Sequence, residues 1–198
     1  NPDQIANTLE SWKKTANSYL LEITIDILRK KEGDNWLVKK ILDKAGNKGT
    51  GNWTTITASK LGVPSTLIAS ALFARYTSFY KEERLEACET FRTKKNQKLD
   101  LDLNDLLNAY QFARIINHYQ GFEVMRQASE TYDWELNFPE IARIWTNGCI
   151  IRSAFMQTAI ELLKIDNDLL QHDSILEKLH ELEPEMQAVL SHGLATRT

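Results

Sequence analysis

The chain has 198 residues, of which 42% are hydrophobic and 26% charged, and its formal net charge is −3. This composition is that of an ordinary globular protein with enough apolar material for a core. The nearly balanced charge argues against a nucleic-acid-binding surface, and no apolar run approaches the length of about 20 residues that spans a bilayer. We therefore expect neither nucleic acid nor a membrane among its partners.

The cysteine content and the first residue give two further expectations. Cys88 and Cys149 are too few for a disulfide framework, so we expect reduced thiols and a cytoplasmic location. Because the chain does not begin with methionine, we expect it to be a processed or excised piece of a longer protein.

Helical periodicity governs the first half of the chain. Residues 18–31 carry apolar side chains on two stripes, which is typical of a buried helix. The same spacing predicts a helix over 35–46, where a glycine ends it. A short helix over 54–62 follows, and a long helix is predicted from Pro64 to Phe91.

The second half repeats this pattern. A polar stretch over 92–102 is predicted to be a loop, and a second long helix covers 104–132. Asn137 is typical of a helix start, and helices are predicted over 140–146 and 149–164. Two further helical stretches close the chain.

No strand pattern of useful length, internal repeat or low-complexity segment is present. The predicted fold class is therefore all-α, a multi-helix bundle with two long helices, and residues 1–198 are expected to form a single domain.

A glycine-rich loop interrupts the helices, with three of the eight glycines falling between Gly46 and Gly51. The spacing of these two glycines is that of a phosphate-binding P-loop, but the next two residues are Asn-Trp instead of Lys-Ser or Lys-Thr. A dinucleotide-binding fingerprint also fails, because its third glycine is missing and a predicted helix precedes it. The loop therefore does not indicate a nucleotide fold within this chain.

The loop nevertheless combines features that suit an anion. Glycines let a backbone approach a ligand closely and expose N–H donors, Lys48 adds a cation, and Thr50 adds a hydroxyl. A helix N-terminus follows directly, which also favours an anion. The alternative is a plain helix–helix connection with turn glycines, and the spacing alone does not decide between the two.

Arg75 shifts this balance. Ile68, Leu72, Arg75 and Phe79 follow the spacing of one helix face, which predicts a guanidinium on the core side. A buried guanidinium needs an anionic partner, since leaving it unpaired costs several kcal/mol or more. That partner is either an internal Asp or Glu or the phosphate or carboxylate of a ligand, unless the side chain extends to the surface.

The remaining candidates favour structural roles. His118 is expected in a core or interface position. Glu22 and Asp26 fit solvated or helix-pairing roles better than an acid/base pair, and Arg152 is expected to pair with an acidic neighbour. The other histidines have no metal-ligand spacing, so no metal is expected; they are His172, His180 and His192.

Five segments, in order, carry a resemblance to a known family. They are SYLLEITIDIL, ILDKAGNKGTGNWT, LGVPSTLIASALFARY, YQGF and GCIIRS, and they span about Trp12 to Ser153. This series resembles the helical domain of the decarboxylating 6-phosphogluconate dehydrogenases.

The resemblance implies a function. The family oxidises 6-phosphogluconate with NADP and decarboxylates the product to ribulose 5-phosphate in the pentose phosphate pathway, without a metal. Its members are homodimers joined largely through the helical domain. The implied partners are therefore 6-phosphogluconate and a second copy of the chain.

The resemblance also implies roles for single residues. Lys48 and Arg75 would contact the substrate and its phosphate, assisted by Gly49 and Thr50, while Asn52 replaces a usual lysine. In the family, the catalytic lysine and glutamate and the NADP-binding domain precede this region, and a C-terminal tail follows it. We therefore expect no catalytic residue in this chain and no dehydrogenase activity from it alone.

A different class of function stays open at this point. The chain could be a non-enzymatic helical interaction module whose glycine loop is only a connector. An acidic side chain paired with Arg75 would favour that alternative.

Overall fold

The structure, a computed structural model, describes residues 1–91 and 101–196. Within these ranges it contains nine α-helices, two short 3-10 helices and one β-hairpin whose two strands have two residues each. This confirms the predicted all-α class. None of the helices in the described ranges has both the length and the apolar character needed to cross a membrane.

The helices are numbered in chain order. They are α1 (Pro2–Ala16), α2 (Tyr19–Arg29), α3 (Thr50–Leu61), α4 (Thr66–Phe79), α5 (Lys81–Phe91), α6 (Leu103–Tyr132), α7 (Phe138–Ile144), α8 (Ala154–Leu163) and α9 (Asp173–Thr196). The hairpin pairs β1 (Lys31–Glu32) with β2 (Asn35–Trp36), and the 3-10 helices are Leu37–Lys40 and Leu169–Gln171.

The chain divides into two compact units. Unit 1 comprises Asn1–Leu42 and Asn137–Glu177, and unit 2 comprises Asp43–Leu136 and Lys178–Thr198. The expectation of a single domain over 1–198 stays a prediction.

Unit 1 is built on the packing of α1 against α2 and of α7 against α8. Ala6, Leu21 and Ile25 form the buried cluster between the first pair of helices. In the second pair, Ala142 and Met156 are completely buried. Burying a large apolar side chain such as Met stabilises a fold by about 1.5–3 kcal/mol, so these contacts hold unit 1 together.

Side-chain caps fix where the helices of unit 1 begin. Asn1 and Gln4 form a reciprocal capping box at the start of α1. Ser18 and Ser153, both in extended conformation, accept the backbone N–H of the third residue of α2 and α8 respectively. Each cap satisfies a backbone donor that a helix start otherwise leaves without a partner.

Unit 2 is built from α3, α4 and α6. Ala58, Val63 and Val124 form its buried cluster. Gln120 on α6 ties this helix to the start of α4, because its side-chain oxygen accepts the Leu67 N–H at 3.0 Å. The long α6 therefore supports both helices that carry the predicted site.

The prediction of a helix over 35–46 was wrong. Trp36 belongs to the hairpin, only Leu37–Lys40 form a 3-10 turn, and the chain beyond is irregular. Its apolar residues Ile41 and Leu42 are 59% and 61% exposed. A short amphipathic segment needs a surface on which to bury its apolar face, and this one is not buried on any.

The predicted long helix from Pro64 to Phe91 is divided at Tyr80. No glycine or proline marks this break. The Ser78 carbonyl there accepts an N–H of the Arg84 guanidinium at 3.1 Å, and Arg84 also binds Asp43. The turn between α4 and α5 is thus stabilised by long-range side-chain contacts that local periodicity does not encode.

Two other boundaries differ from the predictions. Residues 149–153 are not helical, because Ser153 forms an isolated antiparallel bridge with Ser18. The two closing stretches form one helix, α9, with Pro184 inside it. The predicted loop over 92–102 lies almost wholly outside the described residues.

Candidate functional site

Three consecutive residues at the start of the glycine loop are hydrogen-bonded to the last turn of α4. The bonds run from Ala45 N–H to Ser78 Oγ (3.1 Å), from Arg75 Nε to the Gly46 carbonyl (2.6 Å), and from Asn47 Nδ2 to the Tyr76 hydroxyl (2.9 Å). The loop is therefore attached to the end of α4, and Lys48 directly follows the three attached residues.

Ion pairs anchor the segment just before the loop. The Asp43 carboxylate is bound by Lys81 and Arg84, and the Asp43 carbonyl accepts a further N–H of Arg84 at 2.8 Å. The hydrogen bond from Lys81, with a smaller contribution from Arg84, holds the pKa of Asp43 below its usual value. The loop is thus attached to α4 and to the first turn of α5.

The expectation that Arg75 lies on the core side was wrong. Of the four residues on the predicted apolar stripe, only Leu72 is buried, while Arg75 is exposed and Phe79 is 50% exposed. The periodicity identified a common face correctly, but in unit 2 that face packs only around Leu72. The argument that burial forces Arg75 to find an anion therefore does not apply.

Arg75 is nevertheless free to bind an anion. Its Nε is used by the Gly46 carbonyl, but in the described ranges neither terminal nitrogen donates a hydrogen bond and no carboxylate pairs with the guanidinium. The two terminal nitrogens of an arginine suit bidentate binding of a phosphate or carboxylate. The acidic partner expected for a plain interaction module is absent from the described part of the chain.

Lys48 and the start of α3 complete the positive surroundings. Lys48 is exposed and makes no hydrogen bond or ion pair with the described residues. The helix α3 begins at Thr50 without a capping side chain, so no cap satisfies its first N–H groups, which also have no intrahelical partner. A helix start of this kind attracts negative charge, and the exposed Thr50 hydroxyl lies at the same point.

The glycines of the loop serve different purposes. Gly49 has φ +98°, a conformation that favours glycine, and its N–H donates to Asn47 Oδ1 at 2.8 Å. This N–H is therefore engaged within the loop. A Cβ added at Gly51 would lie 3.2 Å from Leu72 Cδ1, so this glycine lets α3 approach α4 closely. The half-buried Asn52 adds no charge.

A second arginine, in unit 1, has the acidic partner that Arg75 lacks. Arg152 binds the Glu22 carboxylate with both terminal nitrogens, one of them at 3.4 Å, and Asn17 donates to the same carboxylate at 3.0 Å. The hydrogen bond from Arg152 lowers the pKa of Glu22. The predicted pairing of Arg152 with an acidic neighbour is confirmed, and Glu22 is that neighbour.

Sequence reasoning missed the residues that hold the loop, namely Asn47, Tyr76 and Ser78. A local signal existed for Asn47, since an asparagine two residues before a glycine in a turn can accept that glycine's N–H. No local signal existed for the two α4 residues, because their partners lie 29 and 33 residues away.

The histidines show no metal site. His118 Nδ1 lies 2.7 Å from the Arg114 carbonyl one turn earlier in α6, and burial lowers the pKa of His118. No cluster of three or more His, Cys, Asp or Glu side chains suited to a metal occurs in the described ranges. The expected independence from metal stays a prediction.

Comparison with known proteins decides the family. A family model described as "6-phosphogluconate dehydrogenase, C-terminal domain" matches residues 1–198. The chain belongs to this family. The resemblance seen in the sequence is thereby confirmed.

Curated relatives of this dehydrogenase family are distributed across bacteria and eukaryotes. The decarboxylating 6-phosphogluconate dehydrogenase of Lactococcus lactis subsp. cremoris is 42% identical over 175 residues, covering 84% of this chain and 36% of the relative. The human enzyme of the same name is 43% identical over 160 residues, covering 78% of this chain and 33% of the relative. The chain thus spans about a third of the length of these relatives.

A solved 6-phosphogluconate dehydrogenase shares the fold. The Plasmodium falciparum enzyme aligns with a TM-score of 0.93 at 34% identity, covering 99% of this chain and 44% of that chain. That protein is described in its apo form, in complex with its cofactor NADP+ and in complex with its substrate 6-phosphogluconate.

Proposed function

We propose that this chain forms the helical, substrate-binding part of an NADP-dependent 6-phosphogluconate dehydrogenase that oxidatively decarboxylates 6-phosphogluconate to ribulose 5-phosphate. The observation that carries the proposal is the hydrogen bond from Arg75 to the glycine loop. It places an arginine with two uncommitted terminal nitrogens against the loop that carries Lys48.

In this proposal the site binds and orients the substrate through its phosphate. Arg75 donates two parallel N–H bonds to phosphate oxygens, and Lys48 supplies a second positive charge from the loop. Thr50 and the first turn of α3 add neutral donors. Holding one end of the sugar acid in this way orients the carbon that reacts, which is the contribution of a binding residue to catalysis.

NADP is the cofactor of the proposed reaction, but the described residues do not fit a dinucleotide-binding unit. Such a unit needs a parallel β-α-β arrangement with its phosphate loop after a strand. Within the described ranges the strands are limited to the antiparallel pair β1–β2, and irregular chain precedes the glycine loop. We therefore derive no step through NADP from these residues.

Two further proposals concern assembly and location. Unit 2 exposes large apolar side chains on α3, α4 and α5, which suits a homodimer interface; they include Trp53 (72%), Phe73 (57%), Leu85 (56%) and Phe91 (77%). The cysteines Cys88 and Cys149 are both free, which suits a cytoplasmic protein.

Calorimetric titration with 6-phosphogluconate tests the binding role. We expect Arg75→Ala and Lys48→Ala each to weaken binding by about ten- to a hundredfold, because each removes a charge-assisted contact. Lys60→Ala is the matched control, since Lys60 is an exposed lysine at the other end of α3 and its loss should leave affinity unchanged.

Unchanged affinity in both Arg75→Ala and Lys48→Ala would refute the binding role. The prediction that the 198-residue chain is inactive by itself has a separate test, because measurable NADP reduction with 6-phosphogluconate would contradict it. The two results are independent, since binding does not require the catalytic groups.

A further inference from the structure

We propose that Asn47 and Tyr76 are positioning residues for the anion site, and that their hydrogen bond holds Lys48 in the place where it can act together with Arg75. The inference rests on the proposed function, since it concerns how the same site is organised. Neither residue was among the sequence-predicted site residues.

Asn47 directly precedes Lys48 in the loop. The two ends of its side-chain amide are both engaged, because Nδ2 donates to Tyr76 on α4 and Oδ1 accepts the N–H of Gly49. The bond between the Asn47 side chain and the Gly49 N–H spans Lys48, which lies between these two residues in the chain. Asn47 thus constrains the loop immediately before and immediately after Lys48.

Two consecutive residues of the loop are attached to two consecutive residues of α4. Gly46 is bonded to Arg75, and the next loop residue, Asn47, is bonded to the next helix residue, Tyr76. Neighbouring attachments of this kind fix the spacing between Arg75 and the residue that follows Asn47. That residue is Lys48, so the Tyr76 bond helps to hold the Lys48 backbone near Arg75.

The attachment of Asn47 also affects the free energy of anion binding. Lys48 and Gly49 have no hydrogen bond to α4 of their own in the described part of the chain. Without the Asn47 attachment, the Lys48 segment would have to become ordered when the anion binds, and that loss of conformational freedom reduces affinity. Preorganisation of the loop is therefore the contribution of the pair to binding.

Tyr76→Phe is the sharpest test, because it removes only the hydroxyl and keeps the ring that contacts Phe73 with a centroid distance of 6.2 Å. We expect its affinity for inorganic phosphate and for 6-phosphogluconate to fall about three- to tenfold, with an unchanged melting temperature. Tyr80→Phe is the matched control, since the exposed Tyr80 hydroxyl makes no hydrogen bond with the described residues, and its affinity should not change.

Asn47→Ala should weaken binding further, because it removes both bonds, and adding Tyr76→Phe to it should cost nothing more. Amide exchange at Gly49 supplies a readout that does not depend on the ligand: exchange should accelerate in Asn47→Ala and, to a lesser extent, in Tyr76→Phe.

The outcomes separate this inference from the proposed function. If Arg75→Ala and Lys48→Ala weaken binding but Tyr76→Phe does not, the positioning role is overturned and the binding site stands. If none of the variants weakens binding, both are overturned. Equal losses in Tyr76→Phe and Tyr80→Phe would also overturn the positioning role, since they would reveal a nonspecific effect.

Discussion

Arg75 and Arg152 look alike in the sequence and differ in the structure. Each follows apolar residues. Arg152 in unit 1 is paired with Glu22, whereas the one hydrogen bond that the Arg75 side chain makes with the described residues goes to a backbone carbonyl. An arginine that is paired with a carboxylate stabilises the fold, but few of its hydrogen-bond donors remain available for a ligand. An arginine held by one nitrogen keeps its direction and leaves its remaining donors available, which is what a binding site requires.

The largest effect on stability is expected from breaking the ion pair between Arg152 and Glu22. Arg152→Ala leaves a half-buried Glu22 without its partner and should lower the melting temperature by about 3–6 °C, with phosphate affinity unchanged. Differential scanning calorimetry checks this against Arg143→Ala, whose pair with Glu140 is more exposed and should matter little. Equal effects of the two variants would show that the Arg152–Glu22 pair contributes no more to stability than a surface ion pair.

The next effect separates the conformational roles of two glycines. Gly49→Ala and Gly33→Ala both place a Cβ at positive φ in open space, so each should cost about 1 kcal/mol of unfolding free energy. Only Gly49→Ala should also weaken phosphate binding, because Gly33 lies in the hairpin of unit 1. Urea unfolding and calorimetry measure the two quantities.

Gly46→Ala is the control within the loop, because its φ is not positive and nothing lies within 4 Å of the added Cβ. Its stability should match that of the parent chain. A phosphate affinity that is equal in Gly33→Ala and Gly49→Ala would contradict a specific role of the loop.

A smaller effect follows from the titration of Glu22. Its pKa in the folded state lies below the ordinary value of 4.5, first because of the hydrogen bond from Arg152. The stability that this provides is present above pH 4.5 and is lost as the pH falls through the lower, folded-state pKa. The stability difference between the parent chain and Glu22→Gln should therefore shrink when urea unfolding is repeated from pH 7 down to pH 3.

This difference isolates Glu22 from other carboxylates whose pKa values are also lowered, such as Asp43. A difference that stays constant over this pH range would show that the Glu22 charge does not contribute to folding.

The smallest effect on stability is expected for Arg75→Ala. Because it is exposed and unpaired with any described carboxylate, Arg75→Ala should change the melting temperature by less than about 2 °C while weakening phosphate binding. A loss of stability as large as that of Arg152→Ala would contradict the division between a structural and a binding arginine.

Much of the fold was accessible from the sequence wherever a segment was long and periodic. The helix predicted over 104–132 agrees with α6 within one residue, and the predicted cap at Asn137 accepts the Glu140 N–H at 3.1 Å. Predictions failed where a segment is short, or where contacts with a distant side chain determine where a helix ends. The break at Tyr80 depends on Arg84 and Asp43, and nothing in the local pattern announces it.

The candidate site shows the same division. The sequence brought Lys48, Thr50 and Arg75 to notice through residue type and motif, and the hydrogen bond from Arg75 to Gly46 shows that the arginine meets the loop. The argument that led to Arg75 was partly wrong, because it assumed burial. Periodicity reports which residues share a face but cannot report whether another element covers that face.

The sequence by itself determined the helical class, the family and the chemical character of the glycine loop, because these depend on local periodicity and on motifs that are contiguous in the chain. Only the tertiary structure decided which of the two arginines is paired with a carboxylate among the described residues, and that Asn47 and Tyr76 meet. Those outcomes depend on contacts between residues from 29 to 130 positions apart, and such contacts are fixed by the packing of whole helices.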